Sequence, residues 1–148
     1  MSVNVYDVAS YILSKLGSIS TMKLQKLVYY SQAWSLVWDE EPLFPERIEA
    51  WANGPVIPRL FFQHKGFFKI SMSELGLGNQ NKLNNKQKET IDVVLDYYGN
   101  KSAQWLIELS HMEKPWIETR RGLRDGEESN REIPLDLISQ YYSSLVNE

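Results

Sequence analysis

The chain has 148 residues, of which 43 % are hydrophobic and 24 % are charged, and its net charge is −3. These values are close to those of soluble globular proteins, so they favour a single domain over residues 1–148 and argue against a disordered or fibrous chain. The negative charge provides no general attraction for nucleic acid or an anionic membrane. Because the sequence has no cysteine, disulfides, thiolate metal sites and a cysteine nucleophile are excluded.

The N-terminal sequence and the apolar stretches bear on the cellular location of the protein. Residues 1–5 show no basic segment followed by an apolar one, and no stretch approaches about 18 unbroken apolar residues. We therefore expect a soluble cytoplasmic protein with no membrane partner.

Aromatic residues make up 12 % of the chain, which makes some of them candidates for a binding surface, although core filling is the simpler explanation.

The N-terminal part has two helical patterns. Apolar residues at three- and four-residue spacing predict a helix from a cap at Asn4 to a stop at Gly17. A second helix should run from about Met22 to Trp38, and apolar residues wrap most of it, which is typical of a central helix covered on several sides. The exception is a polar-aromatic stripe at i, i+4 and i+7, which needs hydrogen-bond partners if it is buried: Gln25, Tyr29 and Gln32.

The remaining chain alternates between breakers and shorter helical patterns. Prolines and glycines interrupt residues 39–57 and predict an extended loop segment with room for a short β element. Residues 67–80 read as a loop or short strand, and the polar residues 122–132 as an exposed loop. Helices are predicted at 58–66, 84–99, 102–109, 115–121 and from 134 onward. The patterns therefore predict a mainly α fold, a single compact domain of about six helices.

No residue set for catalysis is recognisable. Neither His64 nor His111 lies in a motif, and the patterns H-E-x-x-H, G-x-x-x-x-G-K-[ST], G-x-S-x-G and G-x-G-x-x-G are absent. The S-x-x-K match at residues 20–23 is expected about once by chance in a chain of this composition. Three consecutive carboxylates at 39–41 would repel one another and are typical of a solvated corner. We therefore expect no enzyme activity, no cofactor and no metal.

The first two helices are also compatible with a helix-turn-helix DNA-binding regulator, because a short turn joins them. A recognition helix should present basic and amide side chains outward, whereas Lys23 and Lys26 lie among bulky aromatic residues. The basic cluster at 120–124 is followed by three carboxylates that cancel most of its field, and it remains a candidate contact for an acidic partner. We favour a helical hairpin and do not expect a nucleic-acid partner.

Three segments form a combination more specific than any single motif. They are residues 23–34 (KLQKLVYYSQAW), residues 42–44 with 48–58 (PLF and IEAWANGPVIP), and residues 109–111 with 115–116 (LSH and PW). The middle segment is the most specific, because it fixes several uncommon residues together. In order and spacing these segments resemble the Panacea, or SocA-like, antitoxin domain over roughly residues 5–121.

The resemblance implies a mostly helical protein of bacteria and their phages that neutralises a toxin by direct binding, with the toxin encoded by a neighbouring gene. One branch of the family instead acts as a proteolytic adaptor that delivers its toxin to a cytosolic ATP-dependent protease. Other members are stand-alone, phage-associated proteins. We rank the antitoxin function first and keep the adaptor and the DNA-binding regulator as alternatives.

The matching segments also supply the candidate partner-binding residues. Gly54 can adopt a backbone conformation closed to other residues, Pro55 restricts it, and Trp51 is a large anchor, so this loop should form a rigid corner. The two glutamines could instead hold the loop through its carbonyls, and the histidine near the helix junction could be satisfied internally. Trp51 and Trp34 are the first suspects within the full set, which is Gln25, Tyr29, Gln32, Trp34, Trp51, Asn53, Gly54, Pro55, His111 and Trp116.

Overall fold

Helices dominate the computed structural model, which describes residues 2–146. The helices are α1 (Val5–Leu16), α2 (Thr21–Trp38), α3 (Pro58–His64), α4 (Met72–Leu75), α5 (Asn85–Tyr98), α6 (Ala103–His111), α7 (Lys114–Thr119) and α8 (Leu135–Val146). Two antiparallel two-stranded sheets are formed by β1 (Ile19–Ser20) with β4 (Lys69–Ile70) and by β2 (Glu49–Trp51) with β3 (Gly54–Val56). The mainly α prediction is confirmed, with eight helices in the described residues where about six were expected.

The long helix α2 is the centre of the fold. Twelve of its 18 residues are buried, and α1, α3, α5, α6 and α8 all pack against it. This confirms the prediction of a helix covered on several sides. Because so little of α2 is exposed, it lacks the free face that a DNA recognition helix needs. None of the described helices is long and apolar enough to cross a membrane.

Helix starts follow the capping residues that the sequence indicates. Asn4 accepts a hydrogen bond from the backbone of Asp7 (3.1 Å), and Asn84 accepts one from the backbone of Gln87 (2.8 Å), each within a complete capping box. Pro58 opens α3, where its missing N–H costs no hydrogen bond. These local signals therefore predicted where the main helices begin.

Two segments differ from their predictions. Residues 67–80 do contain a strand, but they also contain α4, and a 3-10 turn begins at their end and covers Gln80–Lys82; both are too short to show a period in the sequence. Residues 122–132 are largely exposed, as predicted, yet they are tied to β2: the carbonyl of Arg131 accepts a hydrogen bond from the backbone of Ala50 (2.9 Å). This loop therefore extends the hairpin of β2 and β3, and α7 ends before it, at Thr119.

A buried tyrosine cluster joins α8 to α2. The hydroxyl groups of Tyr30 and Tyr142 both donate to Oε1 of Glu113 (2.7 and 2.8 Å), and the Tyr29 and Tyr142 hydroxyls lie 3.0 Å apart. Burial raises the pKa of Glu113, against the two hydrogen bonds, which lower it. Part of the aromatic content thus fills the core, as the simpler explanation held.

Candidate functional site

The hairpin of β2 and β3 forms one wall of the candidate site. Trp51 pairs with Gly54 at the tip of the hairpin, and Asn53 lies exposed in the turn. Gly54 has a φ of +114°, a conformation that other residues rarely adopt, which is why the turn requires glycine. The Trp51 indole N–H donates to Oε1 of Glu49 (2.8 Å), and its ring packs edge-on against Phe61 with centroids 4.9 Å apart. Backbone pairing and the indole together hold the hairpin in one shape.

Gln25 joins α2 to the end of the hairpin. Its Oε1 accepts a hydrogen bond from the backbone N–H of Ile57 (2.8 Å), and its Nε2 donates to the carbonyl of Ile57 (3.3 Å). The same Nε2 lies 3.0 Å from Nε2 of His64. Since the amide nitrogen donates, the histidine nitrogen must accept, which requires a neutral ring. Burial lowers the pKa of His64, in agreement with that neutral state.

Lys26 is a buried amine beneath the hairpin. It is 1 % exposed, and its Nζ donates to the carbonyl of Pro55 (3.3 Å). A Cβ atom on Gly54 would lie 2.7 Å from Cε of Lys26, so only glycine at this position leaves room for the lysine. Among residues 2–146, no carboxylate forms an ion pair with Lys26. Burial lowers the pKa of Lys26 to about 7.

His111 and Trp116 support the hairpin from behind. Their rings stack with centroids 4.1 Å apart, and the Trp116 indole N–H donates to the carbonyl of Trp51 (2.8 Å). In the described part of the chain, Nε2 of His111 is buried without a hydrogen-bond partner. Burial lowers the pKa of His111, and the charges of Lys26 and Arg120 lower it further. One buried nitrogen therefore remains unpaired close to two cationic groups.

Arg120 is not an exposed member of the basic cluster that the sequence predicts at residues 120–124. It is buried, and its guanidinium donates to the carbonyls of Ala50 (2.9 Å), Glu127 (2.6 Å) and Arg124 (3.3 Å). The side chain also lies over the ring of Trp116, 5.0 Å from its centroid. Arg120 thus fastens the 122–132 loop to the hairpin, and it is not available on the surface for an acidic partner.

A pocket of about 650 Å³ opens between α2, the hairpin, α3 and the 122–132 loop. Met22, Gln25 and Lys26 line it from α2, because their spacing of i, i+3 and i+4 places them on one helix face. Trp51 and Phe61 form an apolar wall. The full lining is Thr21, Met22, Gln25, Lys26, Trp51, Ala52, Asn53, Val56, Phe61, His64, Glu128, Ser129 and Asn130.

Exposed aromatic residues continue from the pocket along α3 and the turn after it. Phe61 contacts Trp51 in the pocket wall and also Phe62, with centroids 5.8 Å apart. Phe62 is 69 % exposed and Phe68 is 80 % exposed, which is unusual for such large apolar side chains. Residues 50–73 contain no Asp or Glu. We call the exposed aromatic and basic set of this stretch the α3 surface: Arg59, Phe62, Lys65, Phe67, Phe68 and Lys69.

Comparison with known families assigns the chain. A family model described as "Antitoxin SocA-like, Panacea domain" matches residues 24–117. The chain belongs to this family. Comparisons with curated proteins and with solved structures give no match. The Panacea match contains Lys26, the hairpin and α3, and therefore most of the pocket and the whole α3 surface, whereas α1, α8 and the 122–132 loop lie outside it.

Seven of the ten residues predicted as partner-binding surround the hairpin of the Panacea domain. Gln25, Trp51 and Asn53 line the pocket, Gly54 and Pro55 contact Lys26, and His111 and Trp116 form the stacked pair behind. The geometry thus brings these seven residues together around one feature.

The other three predicted residues lie elsewhere. Gln32 is fully buried: its Oε1 accepts from the backbone of Leu43 (2.6 Å) and its Nε2 donates to the carbonyl of Phe44 (2.9 Å). Tyr29 belongs to the tyrosine cluster, and Trp34 stacks on Trp38 with centroids 4.9 Å apart. A partner could touch Tyr29 or Gln32 only if this core opened. Internal hydrogen bonding, the alternative stated for the glutamines, accounts for both Gln25 and Gln32.

Sequence reasoning missed Lys26, Phe61, Phe62 and His64 as parts of the site. Lys26 was considered only as a DNA-contacting residue, and lysine is rarely buried. A usable signal was its position between Met22 and Tyr29, at the spacing of a single helix face whose other members are not charged. For the phenylalanines, the signal was their position in a stretch of 24 residues without a carboxylate, residues 50–73.

Proposed function

We propose that this Panacea-domain protein neutralises a partner toxin by direct protein–protein binding, with no catalytic step of its own. The observation that carries the proposal is the continuity of the pocket with the α3 surface: the apolar wall of Trp51 and Phe61 runs into exposed Phe62. Aromatic residues next to a pocket, flanked by arginine and lysine, are typical of the anchoring region of a protein interface.

Charge favours an acidic partner segment. The whole chain carries −3, yet residues 50–73 hold three basic side chains and no carboxylate. Such a patch attracts an oppositely charged surface and orients it during encounter. An interface of standard size buries about 800 Å² per partner, and a few aromatic anchors carry most of its energy. Trp51 and Phe62 are the anchors that we expect here, since one lines the pocket and the other stands beside it.

The first experiment expresses the tagged protein together with the product of its neighbouring gene. We expect the two proteins to co-purify, and we expect the neighbour to stop growth only when it is expressed alone. A harmless neighbour that does not co-purify would contradict the proposal. The half-life of the bound neighbour separates two mechanisms, because a proteolytic adaptor shortens it whereas occlusion leaves it unchanged or lengthens it.

The interface itself is tested with the double substitution Phe62→Ser and Phe68→Ser. Both side chains are largely exposed, so their loss should change the free energy of unfolding little while weakening partner binding at least about tenfold, or about 1.4 kcal/mol. Tyr97→Ser is the matched control, because Tyr97 is 60 % exposed and lies on α5, which contributes no residue to the pocket. If the double variant binds the partner as tightly as the Tyr97→Ser control does, the α3 surface is not part of the interface.

A further inference from the structure

We propose that the pocket binds a carboxylate group of the partner polypeptide, with Lys26 as its counter-charge and with Trp51 and Phe61 packing against the apolar atoms beside that carboxylate. The assignment of this carboxylate to a partner polypeptide rests on the proposed function. The carboxylate-binding property itself rests on the pocket alone and is tested separately below.

The first step is the missing counter-charge. Lys26 has three donor positions and uses one, toward the carbonyl of Pro55, and no carboxylate of residues 2–146 pairs with it. Buried charges in proteins are normally paired. The nearby Arg120 is also buried, its guanidinium donates to backbone carbonyls, and no carboxylate of residues 2–146 forms an ion pair with it. This side of the domain therefore holds a buried amine and a buried guanidinium with which no carboxylate of residues 2–146 forms an ion pair.

The residues that line the pocket indicate which chemical group is attached to the carboxylate. Trp51, Phe61, Met22 and Val56 offer apolar surface, and the amide of Asn53 lies at the exposed turn. A carboxylate attached to an apolar or aromatic group would satisfy both the amine and these walls. Glu128 also lines the pocket, but it is exposed, so solvent screens its repulsion.

A polypeptide is the source that the surroundings favour. The pocket is not isolated: Phe61 continues through Phe62 into the α3 surface, with its basic residues Lys65 and Lys69. A free metabolite would use the pocket alone and would leave this neighbouring surface uncovered. An acidic segment of a protein would place one carboxylate in the pocket and its flanking residues on the α3 surface.

The carboxylate site is tested with 3-phenylpropanoate, a carboxylate on an aromatic body, and with its uncharged amide as the matched probe. Titration is followed by the indole N–H resonance of Trp51 in the full-length protein, at about pH 6, where Lys26 is protonated. We expect the carboxylate to bind at least tenfold more tightly than the amide. Equal binding of the two probes would overturn the inference.

Lys26→Met removes the charge while keeping a long apolar side chain under Gly54. We expect this variant to lose at least tenfold in affinity for 3-phenylpropanoate and to bind the amide as the wild type does. Should Lys26→Met fail to fold, Asn53→Asp provides the second variant, because it adds a negative charge at the exposed turn of the pocket. It should weaken carboxylate binding at least threefold, whereas Asn100→Asp, an exposed position that does not line the pocket, should not.

The source of the carboxylate is tested with the co-purified complex. We expect 3-phenylpropanoate to release the partner, and Lys26→Met to weaken the complex at least tenfold. If the probe binds through Lys26 but neither treatment affects the complex, the pocket takes a free carboxylate and the assignment to the partner is wrong. If no partner co-purifies at all, the proposed function fails, and the probe titration still decides whether the carboxylate site exists.

Discussion

A lysine buried without a carboxylate makes folding stability depend on pH. Burial lowers the pKa of Lys26 from 10.5 to about 7 in the folded protein. Between these values the unfolded chain binds a proton that the folded protein does not, so the free energy of unfolding rises as the pH rises. The slope for one proton reaches up to about 1.4 kcal/mol per pH unit. His64 and His111 have lowered pKa values, so they are already neutral in this interval.

The substitution Lys26→Met should therefore remove the part of this slope that Lys26 contributes, whereas Lys23, whose pKa burial also lowers, keeps its own contribution. We expect urea denaturation of the wild type to show increasing stability from about pH 7 to about pH 9, below the range in which tyrosine ionises. The variant should show a flatter profile and greater stability than the wild type at the lower pH. Lys86→Met, at an exposed position on α5, is the control and should keep the wild-type slope. Parallel profiles for the wild type and Lys26→Met would show that the buried amine does not titrate as the structure indicates.

Glu113 produces a pH dependence of the opposite sign. Burial raises its pKa above the ordinary value of 4.5, which means that the folded protein holds the proton more tightly than the unfolded chain. The stabilising contribution is fully present below 4.5 and is lost as the pH rises through the folded value. Relative to Glu113→Gln, the wild type should therefore gain stability as the pH falls from about 7 to about 4.5.

Chemical denaturation of both proteins at several pH values measures this difference. Gln keeps an oxygen that can accept from the hydroxyl groups of Tyr30 and Tyr142, so the comparison isolates the charge. Glu89→Gln, an exposed change on α5, should give a difference that is independent of pH. A constant difference for Glu113→Gln as well would mean that this carboxyl has the same pKa in the folded and unfolded states.

At the scale of elements, the hairpin depends on the absence of a side chain at Gly54. Gly54 and Gly66 both have positive φ, +114° and +94°, so an alanine at either position is strained by about 1–3 kcal/mol. Only at Gly54 would the new Cβ also meet Lys26 and Ser110, whereas nothing lies within 4 Å at Gly66. Gly54→Ala should therefore be the more destabilising of the two, as measured by the urea midpoint, and it should shift the Trp51 indole resonance. If both substitutions lower the urea midpoint equally, Lys26 moves aside at no cost in free energy.

The elements differ in how far the sequence predicts them, and the reason is the range of the interactions. Asn4, Asn84 and Ser102 cap helices through backbone groups three residues away, so these starts could be predicted locally. The pairing of β1 with β4 joins Ile19 to Ile70, and no local pattern contains that partner. The strands β1 and β4 therefore depend on a distant segment, whereas the four-residue α4 has a local capping box between Ser71 and Glu74 and is only too short to show a period.

The candidate site shows the same limit. The turn at Asn53 and Gly54 and the anchor Trp51 could be predicted, because glycine and proline constrain the backbone locally. The burial of Lys26 could not, since it depends on a hairpin 29 residues further along the chain, at Pro55. The exposure of Phe62 likewise follows from how α3 packs, and sequence periodicity over one seven-residue helix cannot fix which face is covered.

At the scale of the whole molecule, the folded unit extends beyond the region that defines the family. The Panacea match covers residues 24–117, but α1 and α8 lie outside it and both pack on α2. Tyr142 of α8 is fully buried, and its hydroxyl lies within hydrogen-bond distance of Glu113 and Tyr29. Without α8, the carboxyl of Glu113 would lose one of its two donors, and the rings of Tyr29 and Tyr30 would lose a contact.

A fragment of residues 24–117 should therefore fail to fold, although it contains the family match. Removing α1 and α8 exposes apolar surface of α2 on two sides, and folded domains have stabilities of only about 5–15 kcal/mol. We expect no cooperative thermal transition for the fragment by circular dichroism, in contrast to the full chain. A milder test uses α8 alone: Tyr142→Ala should cost about 3–5 kcal/mol, as other large buried aromatic residues do, whereas Leu145→Ala, at a partly exposed position on the same helix, should cost far less. A cooperative transition in the fragment, with a normal Trp51 indole resonance, would instead show that the family region is an autonomous domain to which α1 and α8 are additions.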